Sequence, residues 1–251
     1  MESLEAELER ARALEVGALA DAIESIGFEC TRCGSCCKGE TDEPHTATVF
    51  PDEVRELQTA GDETAEPEAS VSERSTEYDW RDVARPMPYG LTEGEDGLEG
   101  ETFEWALHTD ACGDCRFYEE EPAEGAGDGT ESETGTDADA MGSGYCTVHE
   151  DRPLICQTYP FSVALGGTSQ PMGEAVDEEG IVRAHECEGL GRDIDRADAV
   201  EIAQALRERA IRELEEAIAV RDQYRPADAG PGEVVVHDSE GAKRPDGTPL
   251  E

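Results

Sequence analysis

The stretch FECTRCGSCCKG, residues 28–39, sets four thiols close together: Cys30, Cys33, Cys36 and Cys37. Cys30-x2-Cys33 and Cys33-x2-Cys36 are both chelate spacings. Two intervening residues let a tight turn bring two sulfurs to one metal, about 2.3 Å from each. Gly34 gives that turn its backbone freedom. Adjacent side chains usually diverge, so Cys37 is expected either to serve a second centre or to remain an uncoordinated thiol.

Outward from this loop, the chain reads as alternating helices and short strands. Residues 2–26 precede it with Leu4, Leu8, Ala11, Ala18, Ala22 and Ile26 near one face, the pattern of an amphipathic helix. Gly27 stands where a terminating glycine belongs. After the loop, TATVF (46–50) alternates like a strand. PDEVRELQTA (51–60) then opens with proline and acids and stops at Gly61, as a helix does. Residues 61–79 read as an acidic loop, and FEWALH (103–108) as a strand leading to Cys112 and Cys115. Residues 119–143 carry no basic or aromatic side chain and are expected to be a disordered acidic insertion. A turn is expected at Asp151-Arg152-Pro153, and FSVAL (161–165) should pair with GIVRAHEC (180–187). Residues 197–223 form a second amphipathic helix, with Asp198 as its expected cap. EVVVH (233–237) reads as a strand in an otherwise frayed tail.

Sixty-two acidic residues face twenty basic ones, for a net charge of −42. Lys38 and Lys243 are the two lysines; arginine supplies the rest. Such a surface repels nucleic acid and anionic membranes, which excludes both as partners. Self-repulsion on this scale is relieved in molar salt, where the Debye length falls to about 3 Å. Acid-rich, lysine-poor composition reads as a cytoplasmic protein of an extreme halophile. No apolar run reaches the roughly 18 residues of a membrane span. The N-terminus lacks the basic start and apolar core of a secretory signal. In a reducing cytoplasm, cysteines bind metal or do chemistry more often than they form disulfides.

The nine cysteines fall into three groups: 30/33/36/37, 112/115/146/156, and 187 alone. Thiols at i, i+3 and i+6 match the C-x2-C-x2-C run that holds irons of one cluster in ferredoxins. The same thiolates suit zinc, and softness does not separate the two metals.

FECTRCGSCCKG resembles the C-x2-C-G-x-C-C signature of the YkgJ-like cysteine-cluster family, described as zinc- or iron-chelating and including flagellin lysine methylases. TATVFPDEVREL looks like that family's strand and short helix, and CRFYE (115–119) like its second station. YCTVHEDRPLICQTYPF (145–161) looks like its C-x-[IV]-[YH]-x-x-R-P-x-x-C-x-x-[YF]-P-F segment. HECEGLG (185–191) looks like its last cysteine. The resemblance spans about residues 26–192. It implies eight metal-binding thiolates: Cys30, Cys33, Cys36, Cys37, Cys115, Cys146, Cys156 and Cys187. Cys112 is left over and competes with Cys115 as ligand.

Arg152 is expected beside the thiolates, offsetting their charge and donating hydrogen bonds to sulfur. The alternative is a surface arginine paired with Glu150 or Asp151. Pro153 and Pro160 fix the backbone around Cys156. Tyr159 and Phe161 read as core. His149 and His185 lie near cysteines and read as structural.

The fold expected is α+β: a small, loop-rich, metal-stapled cysteine core flanked by two amphipathic helices. Its parts are an N-terminal helix (1–27), the cysteine-cluster domain (28–196), a C-terminal helix (197–223) and a partly disordered tail (224–251). The function expected is metal binding, as an iron–sulfur cluster, zinc or both, with a redox role and an unidentified protein or redox partner. A flagellin-lysine-methylase-like enzyme using S-adenosylmethionine is the alternative. It lacks the glycine-rich strand–loop–helix that usually holds that cofactor. A structural zinc module and a metal store are the others. No nucleophile–base–orienter constellation is present, so no catalytic residue is assigned.

Overall fold

The computed structural model describes residues 3–39, 44–60, 78–95, 97–120, 144–165, 175–177, 180–227 and 229–250. Most of the two acidic stretches, 61–77 and 121–143, lies outside the described residues. The first elements are α1 (Leu4–Arg12), α2 (Val16–Ile26), β1 (Thr48–Val49), α3 (Pro51–Ala60), α4 (Trp80–Val83) and β2 (Ala84–Pro86). Then come β3 (Leu91–Gly94), β4 (Gly97–Thr102), β5 (Trp105–Leu107), β6 (Tyr118–Glu120), β7 (Gly144–Cys146) and α5 (Leu154–Thr158). The last are β8 (Phe161–Val163), β9 (Ala175–Asp177), β10 (Val182–His185), α6 (Arg196–Gln223), β11 (Val234–Asp238) and β12 (Gly241–Lys243). Helices and strand groups of this kind make an α+β fold.

Ser3 caps α1 by accepting from the Ala6 amide, and the helix runs from Glu5 and Glu7 to Arg10 and Arg12. That charge order suits the helix dipole. α1 ends at Ala13 and α2 starts at Val16, so the single helix expected over 2–26 is two. The break has a packing reason: α1 and α2 both bury an apolar face in one core, against α6. Gly27 ends α2 at φ 78°, as expected; a Cβ there would lie 2.5 Å from the Arg192 carbonyl oxygen. α6 is capped by Asp195, not by Asp198. The Asp195 carboxylate accepts from the Asp198 amide at 2.9 Å, which makes Asp198 the capped residue.

Two apolar cores result. The first joins Leu8, Leu19, Ile23, Leu206 and Leu214 of the three long helices to Phe161 and Val182. β8 and β10 pair antiparallel with Phe161 opposite Ala184, as expected from sequence, and β9 lies on the other edge of β10. The second core gathers Val54 and Leu57 of α3 with Trp80, Trp105, Phe117 and Val236. Trp80 meets Trp105 edge-on at 5.1 Å between centroids. Around it stand the sheets β1-β5-β2 and β12-β11-β4-β3 and the β6-β7 pair.

The C-terminal tail is not frayed. β11 pairs in parallel with β4 and turns back antiparallel through β12, and the Gly247 backbone packs on the Trp80 ring. Lys243, 3% exposed, lies 2.8 Å from Asp238 and 2.7 Å from Glu240. Asp238 also accepts from the Trp105 indole at 2.8 Å. Among the described residues no helix is long and apolar enough to cross a membrane.

Replacing Lys243 by alanine leaves the Asp238 carboxylate buried with no cation. The expected loss is about 3 kcal/mol in a denaturant melt in molar salt. Arg12→Ala, which removes exposed pairs with Glu9 and Glu215, should leave the same melt nearly unchanged.

Candidate metal centre

The cysteine loop starts where α2 hands over at Gly27. Phe28 makes a β-bridge with Leu190, and the Glu29 amide donates to Gly189 O at 3.0 Å. The segment carrying Cys187 is thereby held against the loop. Arg32 (φ 57°) and Gly34 (φ 77°) flank Cys33 in the left-handed region and fold the chain back. At Arg32 this costs about 1–2 kcal/mol. At Gly34 it is free, and a Cβ there would lie 2.4 Å from the Tyr118 hydroxyl oxygen. The amides of Cys37 and Lys38 then close the turn on Gly34 O, at 2.8 and 3.0 Å.

Backbone hydrogen bonds tie the other stations to this turn. The Cys115 amide donates to Cys37 O at 2.7 Å, and Gly144 donates to Arg32 O at 3.1 Å. Cys146 sits opposite Tyr118 in the β6-β7 pair. Cys156 lies on α5, whose Leu154 amide donates to Glu53 Oε1 at 2.9 Å. At the other end of α5, Arg209 Nη1 donates to Thr158 Oγ1 at 2.9 Å.

All nine cysteines are free thiols. Cys115 is buried in the second core, and Cys37, Cys146 and Cys156 pack against it. Cys30, Cys33 and Cys187 stand outside that core. Cys36 faces both sets: its charge acts on Cys115, Cys146 and Cys156 and also on Cys187. Cys112 is exposed, its amide bound to Asp110, so Cys115 rather than Cys112 joins the group.

The expected divergence of the two adjacent thiols is not found. Cys36 Sγ and Cys37 Sγ lie 3.8 Å apart. Two thiolates on one tetrahedral metal, with bonds of about 2.3 Å, would stand about 3.8 Å apart. The Cys37 thiol donates to Cys36 and lowers its pKa to about 7, helped by a backbone amide and by the Arg152 charge. The same interaction pushes Cys37 up, with burial and the Cys36, Cys115 and Cys156 charges adding to it. Burial pushes Cys115 up to about 12 and raises Cys146, Cys156 and Cys187. Buried thiols of this kind hold their protons unless a cation supplies counter-charge. Among the described residues, no three His, Cys, Asp or Glu side chains form a group that could hold a metal ion. The donor chemistry fits a thiophilic metal, while the side chains themselves are not closed upon one.

Arg152 lies close enough to lower Cys36 and to oppose the rise at Cys146 and Cys156. Its Nε donates to His149 O at 2.8 Å, and among the described residues it donates to no sulfur and pairs with neither Glu150 nor Asp151. Pro153 caps α5, and Pro160 follows a cis peptide bond. Phe161 is core, as expected. Tyr159 is half-buried, its hydroxyl donating to Glu186 O; burial, then the Cys187 charge, pushes its pKa up to about 12. His185 is buried with Nε2 2.8 Å from Ser162 Oγ, and His149 is exposed beside Glu150. His185 is thus placed in the core, whereas His149 is on the surface.

Sequence reasoning missed His45. Its Nε2 donates to Cys36 O at 2.9 Å, and its buried Nδ1 has no partner among the described residues. Burial lowers its pKa, so the ring is neutral and able to offer a lone pair. A lone histidine eight residues beyond Cys37 has no chelate spacing to single it out.

Compared with known proteins, the chain matches no family model, no curated protein and no solved structure.

In the reduced, metal-free protein, iodoacetamide should alkylate Cys36 with a midpoint near the pKa of about 7. Arg152→Ala removes a charge that favours the thiolate, so the midpoint moves up. Alkylation at pH 7 should slow about threefold, read by peptide mass mapping. An unmoved midpoint would place the Arg152 charge outside the thiol group.

Proposed function

We propose that the protein is a metal-binding cysteine-cluster protein. In this reading Cys30, Cys33, Cys36, Cys37, Cys115, Cys146, Cys156 and Cys187 supply thiolates to an iron–sulfur cluster, alone or beside a zinc. The observation that carries the reading is the gathering of Cys36, Cys37, Cys115, Cys146 and Cys156 from separate chain segments, with no disulfide among them. Five thiols brought together and partly buried without oxidation need a cation more than they need each other.

The metal would be held by an inner set, Cys37, Cys115, Cys146 and Cys156, and an outer set, Cys30, Cys33 and Cys187, with Cys36 between. Arg152 would offset residual thiolate charge. The C-x2-C-x2-C run favours iron over zinc. An iron–sulfur cluster would supply one-electron transfer; zinc would supply structure alone. Membership of the YkgJ-like family, a halophilic origin and a cytoplasmic location belong to the same proposal. The metal staples the cysteine segments between the flanking helices and the second core. With a net charge of −42, nucleic acid and anionic membranes are poor partners, and a protein redox partner fits better.

The test is metal and sulfide analysis with a visible spectrum, after anaerobic purification in molar salt. Iron, sulfide and a band near about 400 nm are expected. Zinc without colour would make the protein a structural module, and neither metal would overturn the proposal. Cys37→Ser and Cys156→Ser should each lose at least half of the bound metal, while Cys112→Ser should lose none. Metal removal should also lower the melting temperature, read by circular dichroism.

A further inference from the structure

A cavity of about 450 Å³ opens between the C-terminal half of α6 and the strands β1, β4, β5 and β11. None of the nine cysteines lines it. Its walls are largely apolar, with Val49, Trp105, Ala217 and Val220 among them. Two aromatic side chains line it while open to solvent, Tyr89 (64% exposed) and Phe103 (44% exposed). Five large hydrophobics are exposed among the described residues of this highly charged protein, and these are two of them.

Most of the charged side chains lining the cavity are acidic. Glu104, Glu213, Glu216 and Asp238 line it, and Arg221 is its one cationic side chain. Arg221 is engaged with Glu5 and Asp222. The carboxylates are held in place: Glu213 by Arg209 at 2.7 Å, Glu216 by the Ser239 amide at 2.7 Å, and Asp238 by Lys243 and Trp105. Phe103 is braced too, its ring 5.5 Å from His237 and 5.4 Å from Tyr224. Acids occur all over this chain and would mean little alone. Exposed aromatic faces, an apolar wall and fixed carboxylates in one cavity make a specific demand. An anion is repelled there, and a neutral ligand leaves the field unused. An ammonium group gains from both the carboxylates and the ring faces, while its hydrocarbon covers the wall.

The geometry points to a binding site for a small organic cation, a primary or quaternary ammonium carried on a hydrocarbon body. The cavity is of the size that takes small molecules. The site stands apart from the thiols, so its failure and that of the metal proposal are read separately.

The test is isothermal titration of the full-length protein with phenethylammonium chloride in molar potassium chloride. 2-Phenylethanol, which has the same body without the charge, is the control. Saturable one-site binding is expected, at least about tenfold tighter than for the alcohol. Phe103→Ala should weaken it about fivefold and Glu104→Gln about threefold, each with unchanged circular dichroism. Binding with no saturation would mean a diffuse ion atmosphere around an acidic protein. That result would overturn the assignment, as would equal binding of the alcohol or affinity unchanged in both variants.

Discussion

Two buried ionisable side chains hold the five-residue helix α5 between the two cores, and the position of Cys156 depends on both. Glu53, from the second core, accepts the amide of Leu154 at one end and its own Phe50 amide. Arg209, from the first, holds Thr158 and the Phe161 carbonyl at the other. A helix this short has no stability of its own. Burial pushes the carboxyls of Glu53 and Glu213 above their ordinary range, so both attachments cost desolvation. What they secure is orientation: α5 carries the Cys156 thiol and leads directly into β8 of the first core.

The same economy governs charge throughout. A chain this acidic can place few cations, and it places the important ones inside. Arg209 and Lys243 are each 3% exposed and ion-paired. Lys38, the other lysine, pairs with Glu120 at 2.6 Å beside the cysteine turn. Surface pairs such as Arg196 with Asp21 and Glu24 fade in salt, whereas the buried pairs do not. Arg152 is neither buried nor ion-paired among the described residues, and its charge is left to act on sulfur.

Local signals in the sequence were read well. Periodicity located the helical regions 2–26 and 197–223, Pro51 and its acids located α3, alternation located β1, and β5, β8 and β10 were read as strands. Gly27 was read as a helix end because its role is local. The cap of α6 was placed three residues late because Asp195 and Asp198 offer the same side chain; only backbone geometry separates them. The break between α1 and α2 follows from packing on α6, nearly 200 residues away, and nothing in residues 13–15 marks it. The tail was read as frayed after EVVVH, whereas Lys243 is buried against Trp80 and Asp238. In the candidate site, spacing singled out Cys30, Cys33 and Cys36, and resemblance supplied the remaining thiols while leaving Cys112 and Cys115 in competition. Neither gave His45, held by contacts with Cys36 O and Gly113 O, or the 3.8 Å approach of Cys36 and Cys37.

The placement of the aromatic residues makes the two cores optically distinct. Both tryptophans of the chain, Trp80 and Trp105, belong to the second core, in contact with each other. The first core is built by α1, α2 and α6 with β8 and β10 and contains no indole. Intrinsic fluorescence therefore senses only the half of the molecule against which Cys37, Cys115, Cys146 and Cys156 pack, while ellipticity at helical wavelengths is dominated by the other half. Whether the halves come apart together or in turn can be followed on the unlabelled chain with two lamps.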